Sequence, residues 1–130
     1  MTPELTALAT LTAIQVVFGL AVTYIVSTRT GQGYILSSRD EAVDLTTGFV
    51  GRMHRARINN FEALIYFTPA TLILAVSEAG TALSAAAAWV FVATRIAFII
   101  CYALDLTPWR SIVWLIGIAC IALMLLTALI

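Results

Sequence analysis

The feature that most constrains this chain is the presence of long apolar runs without a single charged residue. Leu5 to Thr28 and Ser111 to Ile130 contain no Asp, Glu, Lys or Arg. About 20 consecutive apolar residues suffice to cross the hydrocarbon core of a bilayer. Of the 130 residues, 62% are hydrophobic and 11% are charged, whereas soluble domains carry about 25% charged residues. The sequence therefore predicts an integral membrane protein.

Two further hydrophobic segments complete a set of four predicted helices. The helices are expected at about 5–28, 49–77, 83–103 and 111–130, within a single domain of residues 1–130. The polar connection after the first helix leaves room for a short helical turn. A backbone in hydrocarbon must satisfy its hydrogen bonds internally, so the predicted fold is all-α, an integral membrane four-helix bundle.

The distribution of arginine predicts the orientation in the membrane. All seven basic residues are arginine, and Arg110 precedes the fourth helix. The opposite side carries Glu4 and Glu78 and no basic residue. By the positive-inside rule the arginine-bearing side is cytoplasmic, and both termini lie outside. Five arginines lie between the first two helices: Arg29, Arg39, Arg52, Arg55 and Arg57.

Composition excludes several function classes. Seven basic and seven acidic side chains cancel, which predicts no nucleic-acid partner. Cys101 and Cys120 lie in hydrophobic segments and are interpreted as buried apolar residues. His54 is the only histidine, so one chain assembles neither a bis-histidine haem nor a zinc or iron ligand set. No metal site is predicted.

Polar side chains gather at one depth of three predicted helices. Arg95 and Tyr102 are seven residues apart and share a face of the third helix, while Arg110 and Ser111 open the fourth. Because ionisable residues inside spans are costly, they usually face a cavity or a partner. The second helix contributes one helical stripe, with spacings of three and four, made of Arg52, Arg55, Asn59, Glu62 and Tyr66.

Two interpretations of this cluster follow from the residues. The first is a cytoplasm-facing site for a small ligand with carboxylates and an amine, in which arginines clamp the carboxylates and Glu62 and Asn59 bind the amine or an amide. The second is a structural network built around a buried Glu62–Arg95 ion pair. The gathering of several polar types at one end favours the ligand site.

Three segments resemble the signature of the MAPEG family, the membrane-associated proteins in eicosanoid and glutathione metabolism. The run Arg55-Ala-Arg-Ile-Asn59-Asn-Phe-Glu62 is similar to the family's R-A-x-x-N-x-x-E. Arg95-Ile-Ala-Phe-Ile-Ile-Cys-Tyr102 resembles its third-helix motif, and Pro108-Trp-Arg110-Ser111 its opening of the fourth helix. The order and depth of the segments extend the resemblance over essentially the whole chain.

The resemblance implies a homotrimer that binds glutathione between neighbouring subunits. It implies as the first function hypothesis a glutathione-dependent transferase or peroxidase that acts on lipophilic electrophiles or hydroperoxides from the membrane lipid. It also implies catalytic roles for Arg110, which would stabilise the thiolate, and for Ser111 as a second donor. The bacterial branch of the family is the most similar, which implies a bacterial inner membrane. The residues implied to bind glutathione are Arg55, Asn59, Glu62, Arg95 and Tyr102.

Other functions stay open from the sequence. Ile58 stands where several active members have a basic residue, and Phe98 where well-known enzymes have His or Tyr. These departures favour a second hypothesis, a non-catalytic membrane component that binds lipid or belongs to a larger membrane complex. A small drug-efflux transporter with Glu62 as its cation site is a third. It is disfavoured because Arg55 and Arg95 would repel a lipophilic cation.

Overall fold

The fold consists of helices only, in a computed structural model that describes every residue from 1 to 130. The prediction of an all-α bundle is confirmed, but the chain has five helices because the polar connection includes the short α2. The helices are α1 (Pro3–Thr30), α2 (Gln32–Leu36), α3 (Gly48–Val76), α4 (Ala82–Ala103) and α5 (Trp109–Leu129).

Three of the helices, α1, α4 and α5, are long and apolar enough to cross a membrane. The helix α3 has sufficient length, 29 residues, but its first half is too polar to count among these spans. That half carries Arg52, Arg55, Arg57 and Glu62. The protein is thus an integral membrane protein with three apolar spans, and the crossing by α3 stays a prediction.

Local signals explain where the helices begin. The hydroxyl of Thr2 accepts a hydrogen bond from the Leu5 N–H, and Pro3 occupies the first turn of α1. A capping box begins α4, with the Thr81 hydroxyl and the Ser84 hydroxyl each accepting the other residue's backbone N–H. These caps satisfy N–H groups that have no partner within the helix.

Two apolar clusters form the core. The larger cluster joins α1, α3, α4 and α5 around Leu11, Phe67 and Phe91, and the two phenylalanine rings stack at 4.4 Å. The smaller cluster includes Phe18 and Met53 and lies nearer the connection between α1 and α3. The antiparallel pair α1 and α3 therefore contributes to both clusters, and α4 and α5 pack beside it.

Buried amides lie between these two clusters. Gln15 of α1 and Asn60 of α3 are 4% and 2% exposed. The Gln15 Nε2 atom and both amide atoms of Asn60 have no hydrogen-bond partner. The burial of these amide atoms is therefore not offset by hydrogen bonds within the chain.

A buried carboxylate ties two helices together at the end of the bundle that bears no arginine. Glu4 of α1 is 2% exposed, and its Oε1 accepts a hydrogen bond of 2.5 Å from the Ser84 hydroxyl of α4. The first turn of α4 lies beside this carboxylate, and the positive end of the helix dipole favours a negative charge there. This contact fixes α1 against α4 at the end opposite the polar cluster.

Candidate functional site

A polar cleft of about 200 Å³ opens between α3, α4 and α5. Asn59 and Glu62 lie one turn apart on α3, and Arg95 approaches them from α4. The remaining wall is mainly aromatic and aliphatic, so polar groups are confined to one side of the cleft. These wall residues are Ala63, Tyr66, Phe91, Trp114, Ile118 and Ile121.

Asn59 connects the two charged residues of the cleft. Its Nδ2 donates to Glu62 Oε2 at 3.4 Å, and its Oδ1 accepts from Arg95 Nη1 at 3.4 Å. The direct Glu62–Arg95 ion pair of the structural interpretation is not formed, since the two ion pairs of the chain are Arg29–Asp44 and Arg52–Asp105. The amide therefore bridges the charges, and Glu62 stays exposed.

Arg95 is a buried cation with unused hydrogen-bonding capacity. Its side chain is 2% exposed, and its Cζ lies 5.2 Å from the Phe91 ring centre and 4.9 Å from that of Phe98. The aromatic faces partly compensate for the lost hydration of the guanidinium. Its Nε has no hydrogen-bond partner, and no carboxylate forms an ion pair with it. Such a cation is suited to an anionic ligand.

Gly117 makes room for this guanidinium on α5. A Cβ atom at position 117 would lie 2.7 Å from Arg95 Nη2 and 3.1 Å from Thr94 Oγ1. The close approach of α4 and α5 at this depth therefore depends on the absence of a side chain. Gly117 was missed by the sequence analysis, although a single glycine inside an apolar helix is a signal of close approach.

Tyr102 and Arg110 form a second group nearer the arginine-bearing end. The Arg110 Cζ lies 5.0 Å from the Tyr102 ring centre, and the Tyr102 ring lies 5.0 Å from that of Phe98. Because Phe98 also contacts Arg95, the two groups belong to one continuous row of rings and guanidinium groups. Arg110 itself does not line the cleft.

Two further predicted site residues, Arg55 and Ser111, also lie outside the cleft. Arg55 is exposed, and its Nη1 donates to the carbonyl oxygen of Thr46 at 2.5 Å in the preceding loop. Ser111 is exposed in the first turn of α5, and its backbone N–H donates to Pro108 at 2.9 Å. The single pocket expected from the sequence is therefore divided within one chain, because a loop carbonyl and an aromatic ring engage two of its arginines.

An apolar groove adjoins the polar cleft. It has a volume of about 410 Å³ between α3 and α5, and it shares Tyr66, Ile118 and Ile121 with the cleft. Pro69 and Leu125 continue its wall away from the arginine-bearing end. A ligand with a charged part and an apolar part would therefore find both environments side by side.

These features define the class of protein as a helical membrane protein with a polar cleft beside an apolar groove. A model of the MAPEG family matches residues 5–130, essentially the whole chain. The chain belongs to this family of membrane-associated proteins in eicosanoid and glutathione metabolism, as the resemblance indicated. No curated protein and no solved structure matches the chain.

Proposed function

We propose that the protein is a glutathione-dependent membrane transferase or peroxidase that acts on lipophilic electrophiles or hydroperoxides. The observation that carries this proposal is the Asn59 amide, which bonds both Arg95 and Glu62 in a cleft that adjoins an apolar groove. Family membership supports glutathione as the thiol substrate. The apolar groove supports a second substrate delivered from the lipid.

The cleft offers complementary groups for the tripeptide. Glutathione carries two carboxylates and an ammonium group, so it needs cationic donors and an anionic acceptor. Arg95 binds a carboxylate, while Glu62 and Asn59 bind the ammonium group or an amide. Arg55 binds the second carboxylate after release from Thr46, and Tyr102 donates its hydroxyl.

Arg110 activates the thiol in this proposal. A thiol with a pKa of about 8.5 is mostly protonated at neutral pH, and a nearby guanidinium increases the thiolate fraction. The thiolate attacks an electrophilic carbon, so a C–S bond forms as the leaving group departs. With a hydroperoxide, the O–O bond breaks to give an alcohol and glutathione sulfenic acid. A second glutathione converts the sulfenic acid to the disulfide and water.

A homotrimer completes the site in this proposal. Within one chain Arg110 contacts Tyr102, and neither Arg110 nor Ser111 lines the cleft. Because the family resemblance implies a site between subunits, a neighbouring subunit supplies its own Arg110 and Ser111 to the sulfur end of the cleft in this proposal. We place the site on the cytoplasmic side because the arginines lie at that end. The bacterial inner membrane is proposed because the chain resembles the bacterial branch of the family.

Turnover in the Arg110→Ala variant tests the role of the guanidinium. The detergent-purified protein is assayed with glutathione and either chlorodinitrobenzene or cumene hydroperoxide. We expect kcat to fall by about 10²- to 10³-fold, the loss typical when a group that stabilises an anion is removed. Glutathione affinity should change little. Unchanged turnover in a variant that still binds glutathione would show that Arg110 has no such role.

A non-catalytic membrane component is the second candidate function. The observation that favours it is Phe98, whose ring covers the Arg95 guanidinium and offers no polar group to a ligand. In that case the protein binds lipid or serves as an accessory subunit of a larger complex. Purification as a trimer without other proteins, with measurable turnover on either substrate, would exclude this alternative.

A further inference from the structure

A small basic pocket lies on a different face of α3 from the cleft. It has a volume of about 90 Å³ between α1, α2, the following loop and α3. It shares no residue with the polar cleft or with the apolar groove beside that cleft. Its polar and charged lining consists of Thr23, Tyr34, Arg39, His54 and Arg57.

Neither arginine of this pocket is neutralised within the chain. The two ion pairs of the structure involve Arg29 and Arg52, so Arg39 and Arg57 have no carboxylate partner. Arg39 donates to the carbonyl oxygen of Ile35 at 3.1 Å, which leaves its charge uncompensated. His54 adds a third nitrogen-bearing side chain.

The carboxylates of the neighbouring loop are engaged elsewhere or exposed. Asp40 accepts a hydrogen bond of 2.6 Å from the Ser38 hydroxyl, and Asp44 accepts from the hydroxyls of Thr46 and Thr47. Glu41 is exposed and does not line the pocket. The pocket therefore concentrates positive charge without an internal counter-ion.

A length estimate for α1 and α3 places the pocket at the depth of the lipid headgroups. At 1.5 Å per residue the 29 residues of α3 measure about 44 Å, some 14 Å more than a hydrocarbon core of about 30 Å. If the excess projects from the arginine-bearing side, the boundary falls about nine residues after Gly48, at Arg57. The same estimate for the 28 residues of α1 places the boundary close to Thr23.

An apolar groove continues from this pocket along the lipid-facing side of α1. The groove has a volume of about 270 Å³ and shares Thr23 and Ile35 with the basic pocket. Leu20 and Tyr24 line it and are 69% and 70% exposed. An acyl chain can pack along such an apolar surface, whereas a free phosphate ion has no apolar part to contact it.

We propose that this pocket binds the phosphate of an anionic phospholipid in the arginine-bearing leaflet. Arg39 and Arg57 hold the phosphate oxygens through paired N–H groups, and the Tyr34 hydroxyl donates a further hydrogen bond. The acyl chain lies along the groove beside Leu20. A bound lipid would thereby link α1, α2 and α3, and no part of this role depends on glutathione.

Native mass spectrometry of the detergent-solubilised full chain tests this inference. The protein is titrated with phosphatidylglycerol and with phosphatidylcholine of the same acyl chains, each with and without excess inorganic phosphate. The wild type should bind phosphatidylglycerol preferentially. The Arg39→Gln/Arg57→Gln double variant should lose roughly fivefold in that affinity per arginine, about 25-fold in all. The Arg110→Gln variant, which removes a charge elsewhere, should keep the wild-type preference.

Each alternative outcome has a defined meaning. Equal phosphatidylglycerol binding by the wild type and the double variant would overturn the proposal, and so would an equal loss in Arg110→Gln, which would indicate a general charge effect. If inorganic phosphate displaces phosphatidylglycerol and binds with an affinity equal to that of the lipid, the pocket is a site for free phosphate and the lipid site is refuted. Glutathione affinity of the double variant should equal that of the wild type. A parallel loss would place Arg39 and Arg57 in the glutathione site instead.

Discussion

At the scale of single residues, the chemistry of the cleft depends on how Arg95 is held. The guanidinium is buried between Phe91 and Phe98, and Asn59 is its hydrogen-bond partner among side chains. A buried charge without an ion pair is costly, and a residue of this kind inside a membrane commonly serves function. An anionic ligand at Arg95 would recover part of that cost in binding free energy.

The Gly117→Ala substitution tests this arrangement without changing a charged residue. The added methyl group would lie 2.7 Å from Arg95 Nη2 and would displace the guanidinium from Asn59. The displaced guanidinium would also lose its hydrogen bond to the glutathione carboxylate. Losing a hydrogen bond to a charged group costs about 1.5–3 kcal/mol, so the glutathione dissociation constant should rise by roughly tenfold to a hundredfold. Isothermal titration calorimetry of the purified protein measures this change.

Gly19→Ala is the matched control for that substitution. A Cβ atom at position 19 of α1 would meet nothing within 4 Å. Replacing a helical glycine with alanine should raise the free energy of unfolding by about 0.5–1 kcal/mol and leave glutathione affinity unchanged. Equal glutathione affinities in the two alanine variants would contradict the role assigned to Gly117.

At the scale of helices, we expect the contact between α1 and α4 to contribute to the free energy of unfolding but not to ligand affinity. The Ser84→Ala substitution would remove the donor to Glu4 and half of the capping box of α4. An unpartnered buried carboxylate and a lost cap should lower the free energy of unfolding by about 2–3 kcal/mol. Glutathione affinity should not change, because Arg95 lies eleven residues further along α4. Chemical unfolding in mixed micelles measures the loss.

Ser77→Ala provides the control for the loss of a serine hydroxyl. Ser77 is exposed at the end of α3, where its hydroxyl donates to Ile73. Its removal should change the free energy of unfolding by less than about 0.5 kcal/mol. If the two serine variants unfold alike, the Glu4–Ser84 contact does not stabilise the bundle.

The loop before α3 depends on the charge of Asp44. Hydrogen bonds from Thr46 and Thr47, together with the Arg29 charge, hold the pKa of this carboxyl well below its usual range. A lowered pKa means that the loop's stabilisation is complete above the ordinary value of about 4 and is lost as the pH falls toward the native value. Between pH 7 and pH 5 the loop should therefore be unaffected.

Amide hydrogen exchange of residues 44–51 measures this dependence. The Asp44→Asn variant should exchange faster than the wild type at pH 7, because Thr46 and Thr47 lose their charged acceptor. Asp40→Asn is the control, since Asp40 accepts only from Ser38. Identical exchange in the Asp44→Asn variant and the wild type would show that the carboxylate does not order the loop.

The sequence predicted the four long helices from the length of their hydrophobic segments, and the shared stripe of Asn59 and Glu62 from helical periodicity. The sequence did not predict the directions in which the Arg55 and Arg110 side chains point. Arg55 turns toward Thr46 in a loop without periodicity, and Arg110 stacks on Tyr102 across the α4–α5 turn. Both side-chain directions depend on tertiary contacts, which the spacing of residues along one helix does not reveal. The MAPEG motifs identified the family, but they did not show that the predicted site residues fall into separate groups within one chain.

At the scale of the whole molecule, the proposed site is shared between neighbouring subunits. Chains carrying Asn59→Ala and chains carrying Arg110→Ala can be co-expressed and purified as mixed trimers with two affinity tags. If a site combines Asn59 of one chain with Arg110 of its neighbour, some sites in a mixed trimer regain both intact residues and turnover. Mixed trimers as inactive as the parent variants would place the complete site within one chain.

The most direct test of the central claim is glutathione binding to the detergent-purified protein, followed by ultraviolet difference absorbance of the thiolate. If glutathione binds in the cleft as proposed, the wild type should give a saturable thiolate signal. We expect loss of binding in Asn59→Ala, and binding without the thiolate signal in Arg110→Ala. Absence of binding by the wild type at millimolar glutathione would contradict a glutathione-dependent function and favour the non-catalytic membrane component.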